Sequence, residues 1–273
     1  MTRRDLVLGV VGTVLGSLGL VAGVDEGERL DAHAHHLRDL ESDNVYASAV
    51  HPDLSPPSAS TGAVVWSGGT EARRLALTFD DGPRPAWTPR VLEVLARHDV
   101  PATFFLRGDN VALHGAIHRD SVGRHELGNH TWDHPDLARL GYAECRNQLR
   151  RTSRIMADVY GVRPTLFRPP YGHLAGSSLL AAAEERMVTV IWSMQMREHL
   201  YLNRPSAIVG AVRSQARPGS LILAHDTGAR TRLVTLDHLE GIITALTGDG
   251  YELTTVSDLC GLPGGGVRAR AAG

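Results

Sequence analysis

The chain has 273 residues, of which 42% are apolar, enough for one sizeable domain with its own core and some extensions. A net charge of −2 leaves no basic excess that would point to a nucleic-acid partner. The two cysteines, Cys145 and Cys260, stand far apart and in no C-x-x-C arrangement, which argues against a thiolate zinc site.

Arg3 and Arg4 open the chain, and the run from Leu6 to Val24 carries no charge. A basic start before an apolar stretch reads as a signal peptide or membrane anchor over residues 1–24. Thr2-Arg3-Arg4-Asp5-Leu6-Val7 resembles a twin-arginine export signal. The run also approaches the roughly 20 residues that span a bilayer, so a membrane tether is the alternative to cleavage. Either way the protein is expected to be exported, extracellular or associated with the cell wall. Residues 25–66 are charged and then rich in Ser, Pro and Ala, which reads as a linker. His33 and His35 lie within it, but no strand precedes that H-x-H pair, so it reads as solvated chain.

A folded domain is expected over residues 67–262, followed by a flexible glycine- and arginine-rich tail over 263–273. Short β-leaning runs occur at Leu75–Phe79, Thr103–Leu106, Thr165–Phe167, Val188–Trp192, Leu221–Ala224 and Tyr251–Thr254. Helical patterns separate them at Thr88–His98, Tyr142–Tyr160, Ser177–Arg186, Ser206–Ala216 and Leu233–Leu246. Alternation of this kind predicts an α/β fold around a largely parallel sheet. Polar motifs follow the ends of the strand runs, which in a β/α barrel is the catalytic face.

Asp80 and Asp81 leave the first long strand as neighbours, so their carboxylates point in different directions. One can bind a metal while the other faces a water and serves as a base. His130 and His134 are four apart, which on a helical turn lets both imidazoles converge on one ion. Two histidines and one aspartate would leave a position open for water. Arg168 precedes Pro169 and Pro170, which stiffen its loop. A guanidinium near Asp80 would hold that carboxylate ionised, and the Tyr171 N–H could serve an oxyanion site. His225 ends the run Leu221–Ala224, where it could protonate a departing amine.

Thr78-Phe79-Asp80-Asp81-Gly82-Pro83, His130-Thr131-Trp132-Asp133-His134, Arg168-Pro169-Pro170-Tyr171, the stretch Trp192 to His199, and Leu223-Ala224-His225 follow one another in this order. Together with His125-Glu126-Leu127-Gly128-Asn129 they resemble the motifs of the polysaccharide deacetylases, carbohydrate esterase family four with its NodB homology domain. The resemblance spans about Arg74 to Leu259. It implies a single catalytic domain folded as a distorted (β/α) barrel with fewer than eight strand–helix units. It implies a divalent metal, usually zinc with cobalt or another ion as alternatives, held by Asp81, His130 and His134. It implies Asp80 as general base, steadied by Arg168, and His225 as general acid. Tyr171, Pro170 and Leu223 would meet the substrate, with Leu223 lining the pocket for the acetyl methyl group. The substrate would be an N-acetylated polysaccharide, of peptidoglycan or chitin type, and the protein a monomer. Esterase action on acetyl-xylan, hydrolysis of a small amide, and non-catalytic glycan binding are the competing readings.

One motif departs. Gln195 stands where the family commonly has Asp, and His199 where it has Trp. A neutral Gln195 can hydrogen-bond His225 but favours its charged form less than a carboxylate would. Glu198 is the nearby carboxylate that could compensate.

Overall fold

The structure, a computed structural model, describes residues 62–262. The expected export segment, residues 25–61 of the linker, and the tail from residue 263 lie outside the described residues. The strands are β1 (Val64–Val65), β2 (Arg74–Asp80), β3 (Thr103–Leu106), β4 (Glu126–Asn129), β5 (Leu166–Phe167), β6 (Val188–Val190), β7 (Met194–Gln195), β8 (Leu221–His225) and β9 (Glu252–Leu253). The α-helices are α1 (Thr88–Arg97), α2 (Gly108–His114), α3 (Tyr142–Tyr160), α4 (Gly176–Glu184), α5 (Ala207–Gln215), α6 (Leu233–Gly248) and α7 (Val256–Cys260). Strand order is β1-β6-β5-β4-β3-β2-β8-β7, with β9 paired to β2, and all these pairings are parallel. The alternating pattern predicts the parallel sheet; the sheet curls into a half-barrel, as the family resemblance implies, with β1 and β7 as its unjoined ends.

β2 shows why. Every residue from Leu75 to Asp80 is buried, and successive side chains of a strand face opposite ways. Leu75, Leu77 and Phe79 pack with Val91 and Leu95 of α1 and with Leu239, Ile242 and Ile243 of α6. Ala76 belongs instead to the cluster of Phe105, Leu166, Val190 and Leu221 that fills the inside of the barrel. With both faces covered, the strand reads as a continuous apolar run. Each such Leu or Phe contributes about 1.5–3 kcal/mol by leaving water. Thr78 and Asp80 share the parity of Ala76. The inner row therefore turns from apolar to polar toward the carboxyl ends of the strands.

α3 buries Cys145, Leu149, Thr152 and Met156, one stripe of a helix. It stops at Gly161, whose left-handed φ of 68° closes the last turn.

Three features depart from expectation. β4 carries no apolar signature because its polar residues are buried with partners. Glu126 Oε2 accepts from Thr103 Oγ1 at 2.8 Å and from the Ser257 N–H, at the start of α7, at 3.2 Å. Asn129 Nδ2 donates to Leu149 O at 2.8 Å. Gly128 lies so close under Phe105 that a Cβ there would stand 2.6 Å from the ring. The run Val188–Trp192 ends as a strand at Val190, and Met194–Gln195 forms a separate strand beside β8. β1 falls within the segment read as linker and pairs with β6. Cys145 and Cys260 are free thiols.

Candidate active site

Asp80 ends β2 and points into the barrel. Its Oδ1 accepts from Arg168 Nη1 at 2.8 Å. Arg168 has no exposed surface, and its remaining donors reach Thr78 Oγ1 at 2.8 Å, Val190 O at 3.2 Å and Ile191 O at 3.1 Å. Its guanidinium also lies over the Phe105 ring at 4.1 Å. A buried cation is tolerated only when paired and hydrogen-bonded, and here both conditions are met. The pair fixes the Asp80 carboxylate in place.

Asp81 then turns the chain with a φ of 76°, a left-handed conformation that Asp adopts more readily than most residues. Asn110 Nδ2 donates to its carbonyl oxygen at 2.6 Å. Asp80 thus pairs with Arg168 and Asp81 with His134, while each keeps one oxygen within 4 Å of His130 Nε2.

His130 and His134 do come together, but not on a helical turn. They lie on the loop after β4, where Thr131 and His134 have φ of 68° and 63°. Side-chain bonds shape that loop: Thr131 N–H donates to Asn129 Oδ1 at 2.9 Å, and His134 N–H to Thr131 Oγ1 at 3.1 Å. Local bonds of this kind compete with helix formation. His130 Nδ1 stands 2.8 Å from Arg168 O. A carbonyl only accepts, so Nδ1 carries the proton and Nε2 presents its lone pair. Burial, outweighing the opposing pull of Asp81, drives the His134 pKa down to about 3.

Asp81 Oδ1 is buried without a hydrogen-bond partner. It lies 3.6 Å from His130 Nε2 and 3.3 Å from His134 Nε2. Burial raises the carboxyl pKa of Asp81, but His134, Arg232 and His130 together hold it well below the usual range. Asp81, His130 and His134 offer donor atoms within 4.8 Å of one another, a set able to hold a metal ion. Ligands about 2 Å from a tetrahedral zinc ion lie roughly 3.3 Å apart, so both spacing and donor types fit.

His225 ends β8 directly opposite Asp80 in the β2–β8 register. The carboxylate beside it is Glu198, not the side chain of Gln195. His225 Nδ1 stands 4.0 Å from Glu198 Oε1. Gln195 is in register with Leu223, and its Oε1 has no hydrogen-bond partner. The chain passes from β7 into the short 3-10 turn Glu198–Tyr201, which returns a carboxylate to the histidine. Burial raises the Glu198 carboxyl pKa, but His225 and then Arg232 outweigh it, and the net shift is downward. Glu198 thus places a carboxylate beside His225, with no hydrogen bond joining the two side chains.

Pro170 and Tyr171 form a 3-10 turn after Arg168, with Tyr171 at φ 62°. The Tyr171 ring packs edge-on against His134, with centroids 4.7 Å apart. Leu223 is buried on β8, two residues before His225. All nine residues singled out from the sequence thus gather at the carboxyl ends of the strands or line them.

Sequence reading passed over three others. Asn110 from the first turn of α2 and Arg232 from the 3-10 turn before α6 contact Asp81 with no motif of their own. Asp226, directly after His225, is buried and receives a 2.6 Å bond from Thr88 Oγ1. Burial first, then Asp81 and Asp80, push its pKa up to about 7. Its position next to His225 was the one signal that could have found it.

A family model described as polysaccharide deacetylase matches residues 67–190. The chain is 39% identical over 198 residues to a chitooligosaccharide deacetylase of Sinorhizobium fredii, covering 67% of this chain and 90% of that protein. It is 36% identical over 190 residues to the peptidoglycan-N-acetylglucosamine deacetylase of Listeria monocytogenes, covering 69% of this chain but 39% of that longer protein. The crystal structure of the Bc1960 peptidoglycan N-acetylglucosamine deacetylase superimposes with a TM-score of 0.70 at 34% identity, covering 74% of this chain and 94% of that one.

Proposed function

This chain belongs to the polysaccharide deacetylase family, and on that premise we propose that it hydrolyses the N-acetyl groups of N-acetylglucosamine-containing glycans, of peptidoglycan or chitin type. The observation that carries this reading is the convergence of Asp80 and His225, adjacent across β2 and β8, beside the Asp81–His130–His134 donor cluster. A divalent metal held by those three residues, zinc in our reading from its two nitrogen and one oxygen donors, supplies Lewis acidity and a lowered water pKa.

Asp80, aimed by Arg168, accepts a proton from the attacking water. The Tyr171 N–H donates to the amide oxygen as negative charge gathers there. His225, with the Glu198 carboxylate 4.0 Å from its Nδ1, gives a proton to the leaving nitrogen. The C–N bond breaks, the acetyl carbon keeps the water oxygen, and acetate and a free amine leave. Leu223 and Pro170 supply the apolar wall for the methyl group and the sugar. All these groups come from one chain, so the reading requires no second copy.

A polymer of the cell envelope lies outside the cytoplasm. The basic, then apolar residues 1–24 support export to it, with cleavage or with a retained tether.

The test is acetate release from chito-oligosaccharides, peptidoglycan and acetyl-xylan, with chelator and with zinc restored. Chelator-sensitive release from a glucosamine polymer is expected. Release from acetyl-xylan alone would move the reading to an esterase. No release from any of the three by zinc-loaded protein would overturn it in favour of a small amide substrate or glycan binding.

A further inference from the structure

The carboxylate of Asp81 has its two oxygens in different surroundings. Oδ1 faces the imidazoles of His130 and His134 and receives no hydrogen bond. Oδ2 accepts from Arg232 Nη1 at 2.8 Å. Arg232 ends the 3-10 turn Arg230–Arg232, just before α6. The same Nη1 also donates to Thr227 O at 3.0 Å, so the guanidinium is tied to its own loop as well. The side chains of Arg232 and Asp81 are only 14% and 11% exposed, which shields the pair from solvent competition. Gly228 leaves the room for this contact: a Cβ there would stand 2.4 Å from Arg232 Nη1. Asn110, for its part, holds the main chain of Asp81. Backbone and one carboxylate oxygen are thus fixed, and a single oxygen is left to face the imidazoles.

A carboxylate held only by its backbone can meet a dication through one oxygen or through both. Two-oxygen ligation would use a coordination position needed for water or for the substrate amide. We propose that Arg232 is a positioning residue for metal binding, which occupies Asp81 Oδ2 so that Asp81 meets the ion through Oδ1 alone. This inference rests on the reading of Asp81, His130 and His134 as the ligands. A nearby guanidinium also repels a dication, so orientation and repulsion oppose each other. Asp81 lies between the two cations and screens one from the other. Partners that orient metal ligands typically contribute 10–100-fold in affinity, and here orientation prevails.

The test measures Zn2+ affinity of the full-length protein by competition with a chromophoric chelator, for wild type, Arg232→Met, Arg232→Lys and Asp81→Ala. The visible spectrum of each Co2+-loaded protein is recorded alongside. Arg232→Met is expected to bind zinc about 10–100-fold more weakly. Its cobalt bands should lose intensity, as happens when four-coordinate cobalt gains a fifth ligand. Arg232→Lys, which keeps the charge and a donor, should retain most of the affinity and the wild-type spectrum. Unchanged or tighter binding by Arg232→Met, with an unchanged spectrum, would overturn the proposal, because the arginine would then be only a neighbouring charge. If Asp81→Ala bound zinc as wild type does, the ligand assignment itself would fall, and this inference with it. Should Arg232→Met not fold, Gly228→Ala crowds the guanidinium while leaving its charge, and the same weakening is expected.

Discussion

The two ends of the barrel each bury a carboxylate, and they treat it in opposite ways. At the carboxyl end, Asp80 shares a buried ion pair with Arg168, and its other oxygen, Oδ2, lies 3.8 Å from His130 Nε2. At the amino end, Glu126 has no arginine. It is held by the Thr103 hydroxyl and the Ser257 N–H, and burial raises its pKa despite those bonds. Asp80 is paired with a full positive charge beside the candidate metal donors. Glu126 is kept satisfied against the start of α7, where it anchors the last helix to β3 and β4. The same residue chemistry serves reaction at one end and closure at the other, and what separates them is whether a full positive charge accompanies the burial.

Asp80→Asn gives the largest expected effect. It should lower kcat about 10²–10⁴-fold while leaving zinc content near wild type, and it should also lower the unfolding midpoint, because the buried Arg168 loses its charged partner. Loss of zinc along with activity would instead place Asp80 among the ligands.

Arg168→Leu comes next. It strands the Asp80 carboxylate in the interior, and breaking such a pair typically costs about 3–5 kcal/mol. Denaturant unfolding reads this directly. A loss below about 1 kcal/mol would show that the pair is not buried in solution.

The third test asks whether burial alone, without a neighbouring reaction site, leaves a pH signature. Burial and then the charge of His125 hold the pKa of His118 down to about 3, and burial and then Arg124 hold that of His125 at about 4. Both rings pack on Phe104 in the core. An unfolded histidine titrates near 6.5. Below that pH the unfolded chain takes up protons that the fold refuses. The contribution of these residues is therefore complete above about pH 6.5, and it is lost as pH falls from there toward the folded values. The unfolding free energy should drop by a few kcal/mol over that window, and His118→Gln should flatten the slope. A slope unaffected by His118→Gln would assign the acid sensitivity elsewhere.

The smallest effect is expected from Glu126→Gln. A group whose charged form is already disfavoured loses little when made neutral, so stability should change by about 1 kcal/mol or less and kcat not at all. A large fall in kcat would join the two ends of the barrel functionally and erase the contrast.

Much of this arrangement was legible before any coordinates. α3 was readable because four buried residues repeat at helical spacing. β2 was readable because a strand covered on both faces is continuously apolar. Asp80, Asp81, Arg168 and His225 stood out as polar residues at the ends of such runs. β4 was hidden because Glu126 and Asn129 are buried by hydrogen bonding, which leaves no apolar trace. The His130–His134 spacing suggested a helix because four residues make about one turn, but threonine and asparagine side chains fold that segment differently. Gln195 was matched to His225 by motif position, whereas strand register pairs it with Leu223 and hands the histidine to Glu198. Arg232 left no signal, since its role exists only where two distant loops meet.

The pairing of β2 with β8 also sets an order in time. Thr78 bonds to Ile222, 144 positions further along, a separation that makes such contacts slow to form. Asp81, His130 and His134 are all synthesised well before His225 and Arg232. A growing chain therefore holds all three candidate metal donors while the proposed acid and the proposed arginine clamp are still unmade. On the proposed reading, competence for hydrolysis waits until β8 pairs with β2 and brings His225 beside Asp80.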